Sequence, residues 1–160
     1  MTEKKTSDYQ IDNVDLEILS ILLKNANTPY TEIAEKIIVS GGTIHVRMKK
    51  LIDAGIVKGS HLEINVNKLG FDICAFIGIN LTKASFYDEV VKKLKKVNEI
   101  VELHYTTGKY SMFAKIICKS TQNLREVLND KIQGIEGVQS TETILSLSED
   151  ISRPIQLTKE

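Results

Sequence analysis

Ser40, Gly42, Thr43, His45, Val46, Arg47, Lys49 and Lys50 crowd into one short stretch, and their chemistry suits a nucleic-acid duplex. Ammonium and guanidinium groups neutralise phosphates, hydroxyls and imidazole reach base edges, and a valine can pack on a thymine methyl. A merely solvated helix face would carry similar charges, so geometry has to separate the two. At about 100° per residue, Ile44, Met48, Leu51 and Ile52 form one apolar stripe. Thr43, Val46, Lys49 and Lys50 fall on the opposite face, with His45 and Arg47 on the flanks. No core needs that outer face, which leaves it free to enter a major groove about 12 Å wide. Lys49 and Lys50 are placed for phosphates. Thr43, His45, Val46 and Arg47 lie nearer the helix N-terminus, the end that meets base edges, and Arg47 can pair with guanine or with phosphate.

The elements that position this face are legible on both sides. Asn13 to Asn25 reads as a helix capped by Asp12, and Asn25-Ala26-Asn27-Thr28-Pro29 as a turn. A short amphipathic helix, Thr31 to Ile37, breaks at Ile38-Val39. Ser40 then caps the third helix and Gly55 ends it. Second and third helices so joined make a helix-turn-helix. Ile56 to Asn65, two β-prone runs around Gly59-Ser60, predicts a hairpin wing.

Composition leaves the partner to local features. Lys plus Arg equals Asp plus Glu at 21 each, so the whole molecule makes no electrostatic case for nucleic acid. Arg47, Lys49, Lys50 and Lys58 against Asp53 do so locally, because counterion release scales with the phosphates neutralised. So modest a cluster predicts a dimer or larger assembly reading paired half-sites. Cys74 and Cys118 sit in separate apolar runs without a C-x-x-C, as reduced structural thiols rather than metal ligands. Met1 to Tyr9 is polar, and no segment approaches the about 18 apolar residues of a membrane span; a cytoplasmic location without membrane contact is expected.

Past Asn67-Lys68-Leu69-Gly70, read as a linker over 67–70, strands alternate with helices. Phe71 to Leu81 alternates as a strand, and Ser85-Phe86-Tyr87-Asp88 resembles a capping box opening a helix. Ile100 to Thr107 and Tyr110 to Lys119 flank a turn at Gly108-Lys109. A helix over Thr121 to Ile132 and a strand over Val138 to Leu147 complete a β-α-β-β-α-β order, the ferredoxin-like arrangement. Val97-Asn98-Glu99-Ile100-Val101 and Ile135-Glu136-Gly137-Val138-Gln139 enter their strands alike, a faint internal repeat. The fold class is therefore α+β. A winged helix-turn-helix spans 1–66, and a ferredoxin-like domain spans 71–160.

These segments carry a family resemblance over roughly Tyr9 to Leu157. Ile11-Asp12-Asn13-Val14-Asp15-Leu16, Ser40-Gly41-Gly42-Thr43-Ile44-His45-Val46-Arg47 and Leu69-Gly70-Phe71-Asp72 resemble the Lrp/AsnC family of transcription regulators. So do Tyr105-Thr106-Thr107-Gly108-Lys109-Tyr110-Ser111 and Gln139-Ser140-Thr141-Glu142-Thr143. The likeness is to the asparagine-responsive branch. It implies double-stranded DNA and a free amino acid as partners, with L-asparagine as effector. It also implies pairing through the second domain, commonly as four dimers in a ring, and an effector pocket between dimers around the turn at Gly108. Many relatives carry an Asp two or three positions after that glycine, where Tyr110-Ser111 stand here. Gly41-Gly42 replaces a frequent proline.

The turn can receive an amino acid. Tyr105-Thr106-Thr107-Gly108 offers backbone N–H groups, and the glycine lets main chain approach an anion closely. Thr106, Thr107 and Ser111 supply hydroxyls, with Tyr110 and Ser140 alongside. Gln133 and Gln139 present donor and acceptor ends that match a ligand carboxamide. An ordinary hairpin turn with polar decoration would look similar. No H-E-x-x-H, P-loop or G-x-S-x-G occurs, so no catalytic site is expected. The competing functions are a regulator of another amino acid or of none, and an amino-acid-binding assembly protein that ignores DNA.

Overall fold

The computed structural model describes residues 9–157. The polar segment preceding Tyr9, and with it that part of the expected first domain, lies outside the described residues. The chain divides into two units. One runs up to Glu63 and takes in the tail from Ile151, and the other spans Ile64–Asp150. The tail thus groups with the helical unit, whereas the sequence reading carries the second domain through to 160.

In the first unit, helix α1 spans Asn13–Lys24, α2 Tyr30–Lys36 and α3 Gly41–Asp53. Asp12 caps α1 reciprocally with Asp15, each side chain accepting from the other's backbone N–H. Ser40 caps α3 by accepting from the Thr43 N–H at 3.1 Å, and Gly55 follows α3 at φ +73°, the left-handed stop expected of it. The apolar stripes converge on Ile18, Ile33, Ala34, Ile44, Met48 and Leu51.

Between α2 and α3 the turn carries a strained residue. Ile38 has φ +56° and is 91% exposed, a left-handed conformation that a β-branched side chain adopts at a cost. Nothing buried repays it. Ile38→Gly is therefore expected to stabilise this unit by about 0.5–1 kcal/mol, relief of strain exceeding glycine's entropic penalty. Thermal unfolding of the helical unit checks it: a midpoint that falls would mean the turn is not strained.

The expected hairpin over Ile56–Asn65 is not formed; those residues make no strand pairing. Val57 of the first run packs on the helical core, but Leu62 and Ile64 of the second are exposed at 82% and 58%, so the second run has no apolar face to bury and a lone hairpin is marginal in water. The expected linker is a short 3-10 turn, Val66–Leu69, ended by Gly70 at φ +81°.

The second unit is a four-stranded antiparallel sheet, β1 Ile73–Leu81, β2 Ile100–Tyr105, β3 Met112–Cys118 and β4 Val138–Leu145, in order β2-β3-β1-β4. With helices α4 Tyr87–Leu94 and α5 Thr121–Glu126 in the crossovers, this is the β-α-β-β-α-β arrangement. Ala75, Ile77 and Ile79 alternate inward with Met112, Ile116 and Cys118 to meet Val90, Leu94, Val127 and Ile132. Ile73 pairs with Cys118 and Cys74 with Ile117, so the two free thiols face opposite sides of the sheet. The internal repeat reappears as matched turns. Ile100 donates to the Val97 carbonyl at 3.1 Å as Val138 donates to Ile135 at 3.0 Å.

Two helical details depart from the sequence reading. Ser85 caps nothing; it lies in a 3-10 turn, Ala84–Phe86, that delivers the Phe86 ring to Gly137, where a β-carbon would meet it at 2.6 Å. The helix beginning at Thr121 becomes a π-helix over Val127–Gln133. Its wider turn brings residues five apart toward one face, which buries Val127 and Ile132 together.

Candidate DNA interface and effector cavity

Helix α3 projects Gly42, His45, Val46, Lys49 and Lys50 outward, with Thr43 half-buried and Val46 56% exposed. Neither Lys49 nor Lys50 has an ion-pair partner among the described residues, so both charges are available to an anion. An open concavity of about 570 Å³ is lined by Gly42, Thr43, Val46, Arg47 and Lys50 of α3, with Tyr9, Gln10 and Asp12. Ser40 binds the Thr43 hydroxyl at 2.8 Å as well as its N–H, which fixes the helix start despite Gly41-Gly42.

The flanks behave differently from the face. His45 meets Tyr30 of α2 edge-on, with ring centroids 4.8 Å apart. Arg47 is turned away from solvent. Its Nη1 donates to Asp12 Oδ1 and Oδ2 at 2.8 and 2.7 Å and to Asp15 Oδ1 at 2.9 Å. Asp15 is fully buried, and its Oδ2 accepts from the Tyr9 hydroxyl at 2.8 Å and from the Asp12 N–H at 3.2 Å. The Asp15 N–H and then the Arg47 guanidinium hold the Asp12 carboxyl below the usual carboxylate range. The two carboxylates raise Arg47 further still. Burial first, then Asp15, pushes the Tyr9 phenol up. The sequence reading assigns Arg47 to guanine or phosphate and sees no role for Asp15 or Tyr9. A pairing 32 and 35 residues apart leaves no periodic trace.

In the sheet unit, the end of β1 and the β2–β3 turn enclose a cavity of about 200 Å³, lined by Leu81, Ala84, Tyr105, Thr106, Gly108, Lys109, Tyr110 and Ser111. Of the residues expected from sequence, Tyr105, Thr106, Gly108, Tyr110 and Ser111 meet here. Thr107, Gln133, Gln139 and Ser140 do not line it; Gln133 Nε2 donates to Thr141 Oγ1 at 2.9 Å, and Ser140 Oγ accepts from Asn80 Nδ2 at 3.2 Å. Leu81, Ala84 and Lys109 are the lining residues that sequence reasoning misses. Leu81 and Ala84 look like strand and helix-start residues, and only the sheet order brings them to the turn.

The turn holds both unpartnered and partnered polar groups. Ser111 N–H donates to Ile79 and Thr106 N–H to Ser111, while the N–H groups between them have no hydrogen-bond partner among the described residues. Gly108 takes φ +102°, a left-handed conformation that glycine adopts without strain. Thr106 Oγ1 donates to the Tyr110 carbonyl at 2.8 Å, leaving its lone pairs free to accept from an ammonium. Ser111 Oγ accepts from the Leu81 N–H at 3.3 Å and keeps its proton to donate. Lys109 pairs with Glu142 of β4 and lies 5.0 Å above the Tyr110 ring. That pairing raises the lysine and lowers Glu142 below the usual carboxylate range. No described helix is long and apolar enough to cross a membrane.

Known proteins match both units. Residues 11–58 match a family model described as winged helix-turn-helix DNA-binding, and residues 74–155 one described as Lrp/AsnC ligand binding domain. Regulatory protein AsnC of Haemophilus influenzae is 47% identical over 148 residues, covering 92% of this chain and 99% of its own. Regulatory protein AsnC of Escherichia coli K12 is 45% identical over 149 residues, covering 93% and 98%. The structure of Escherichia coli AsnC superposes with a TM-score of 0.88 at 44% identity over 92% of this chain and 99% of that one. A transcriptional regulator from Neisseria meningitidis, solved with L-Met, shares the fold at a TM-score of 0.86 and 22% identity, over 90% and 94% of the two chains. With a DNA-binding match on its helical unit, a ligand-binding match on its sheet unit and relatives aligned along nearly their full length, the chain belongs to the Lrp/AsnC family of transcription regulators, in which an amino acid governs DNA binding.

Proposed function

We propose that this regulator responds to L-asparagine, held in the cavity at the Tyr105–Ser111 turn. The observation that carries the reading is the turn's unpartnered N–H groups beside its hydroxyls, in a chain close to proteins named Regulatory protein AsnC. A volume of about 200 Å³ suits one free amino acid and falls short of the about 300–1,000 Å³ of drug-sized sites. The carboxylate meets the unpartnered N–H groups, the ammonium meets Thr106 Oγ1, and Ser111 donates toward the ligand. Gln133, Gln139, Ser140 and Thr107 complete the site only from a second copy or after rearrangement, which fits a pocket shared between subunits. Phe76, Phe113 and Tyr110 gather on the sheet side away from the helices, an aromatic surface suited to pairing copies of the chain. The protein acts in the cytoplasm as a homo-oligomer built from dimers, an octamer of four being the family's common form, and performs no catalysis.

On the helical unit, Ser40, Gly42, Thr43, His45, Val46, Lys49 and Lys50 form the DNA surface. Effector binding shifts the spacing of paired helix-turn-helix units, a coupling of about 1–3 kcal/mol. Calorimetry across the amino acids, joined to a gel shift on the DNA upstream of the protein's own gene, tests this. Asparagine is expected to bind at least tenfold more tightly than glutamine and to move the gel-shift midpoint. Equal heats for both would refute the asparagine assignment; no shifted DNA would refute the regulator.

A further inference from the structure

Resting on that DNA-binding reading, we infer that Arg47 is a positioning residue rather than a reader. Through the buried Asp15 it sets the rotation at which Gly42, Thr43, Val46 and Lys50 meet the duplex. One guanidinium nitrogen is shared among three carboxylate oxygens at 2.7–2.9 Å, and only 25% of the side chain is exposed. Asp15 is 0% exposed and sits in the first turn of α1. Both its oxygens are occupied: one takes Arg47, the other the Tyr9 hydroxyl and the Asp12 N–H. For Arg47 to reach a phosphate or a guanine, a buried carboxylate would be left charged and unpaired. Such an orphaned charge costs more than a solvent-screened phosphate contact returns.

Arg47 lies on the flank of α3 that faces α1, while His45 on the opposite flank leans on Tyr30 of α2. A polar brace on one flank and a ring contact on the other therefore grip the helix and leave the arc between them, with the exposed edge of His45, to DNA. The apolar stripe alone fixes how deep α3 is buried. It fixes rotation poorly, because aliphatic packing tolerates small turns of a helix, whereas a guanidinium nitrogen held between two carboxylates does not.

The test uses the full chain and two duplexes, one enriched by the parent protein from a random-sequence pool and one of mixed sequence. Affinities are measured from about 50 to 200 mM salt, with thermal melting to confirm folding. Lys50→Ala serves as the phosphate control: affinity falls on both duplexes, and the log–log salt slope becomes shallower by about 0.9. Arg47→Gln is expected to cost at least tenfold on the enriched duplex while leaving mixed-sequence affinity and the salt slope as in the parent. Asp15→Asn should reproduce that pattern without touching DNA, and the double variant should be no worse than either. Repeating the enrichment with Arg47→Gln should show preference weakened at every base position.

A shallower slope on both duplexes for Arg47→Gln would overturn the inference in favour of a phosphate contact. Preference lost at one position alone would overturn it in favour of a base contact. Should Asp15→Asn fail to fold, Arg47→Lys decides. Lysine keeps a point charge for phosphate, but its ammonium stops one bond short of the Nη1 position between Asp12 and Asp15, so lost selectivity supports the brace and parental selectivity refutes it. Failure of the parent to enrich any duplex would instead refute the DNA-binding reading beneath it.

Discussion

Leu51→Ala is expected to abolish specific DNA binding at 37 °C while leaving the sheet unit folded. Leu51 is fully buried among Ile18, Ile33, Ala34, Ile44 and Met48, the buried apolar set of a small helical unit among the described residues. Truncating a buried leucine costs about 2–5 kcal/mol, transfer and cavity terms together. Units of this size bury a smaller share of their surface than larger domains, so such a loss consumes most of their stability. A midpoint falling by on the order of 10–30 °C follows for the helical unit. The sheet unit has its own core, centred on Ile77, Ile116, Leu94 and Ile132, and does not use Leu51. Calorimetry should therefore resolve one lowered and one unchanged transition. A single cooperative transition that moves as a whole would show that the two units do not fold separately.

Gly78→Ala should strike the other function. Gly78 lies in the middle of β1, between Phe113 of β3 and Glu142 of β4. The ring of Tyr110 fills the space its side chain would take, with ring carbons 2.5–2.6 Å from a β-carbon there. A central strand cannot yield, because both its edges are hydrogen-bonded. Tyr110 must move instead, and it carries the cavity wall, the carbonyl that receives Thr106 and the platform beneath Lys109. The expected result is a loss of about 1–3 kcal/mol from the sheet unit and at least a tenfold weaker effector affinity. Gly134→Ala is the control, since a β-carbon there meets nothing closer than 3.9 Å. Parental effector affinity in Gly78→Ala would show that Tyr110 does not shape the site.

Local chemistry made most of the architecture legible in advance. Asp12 and Ser40 announce helix starts because short polar side chains satisfy free N–H groups, and Gly55 announces a stop because it tolerates φ +73°. Aliphatic residues at every second position, Ile73, Ala75, Ile77, Ile79 and Leu81, show which face of β1 meets the helices. The turn at Gly108 was visible for similar reasons. Long-range partners were not. Arg47 with Asp15, Gly137 with Phe86, and Gly78 with Tyr110 are matched by shape and charge across folds of the chain, with no spacing rule to reveal them. Ile56–Asn65 failed in the opposite way. Its local β propensity is real, but propensity without burial does not make a strand. Gln133 and Gln139 match a carboxamide by chemistry alone, and chemistry does not specify distance.

The tail from Ile151 has a practical consequence. Ile155 and Leu157 line an apolar groove of about 490 Å³ with Leu16, Leu19, Leu22 and Met48 of the helical unit. The reading head is thus discontinuous in the chain, assembled from the helices before Glu63 and from the tail after Ile151. A fragment cut after Glu63 would bare greasy surface and invite clumping. Chimeras that exchange heads between family members should transplant the terminal strip along with the helices.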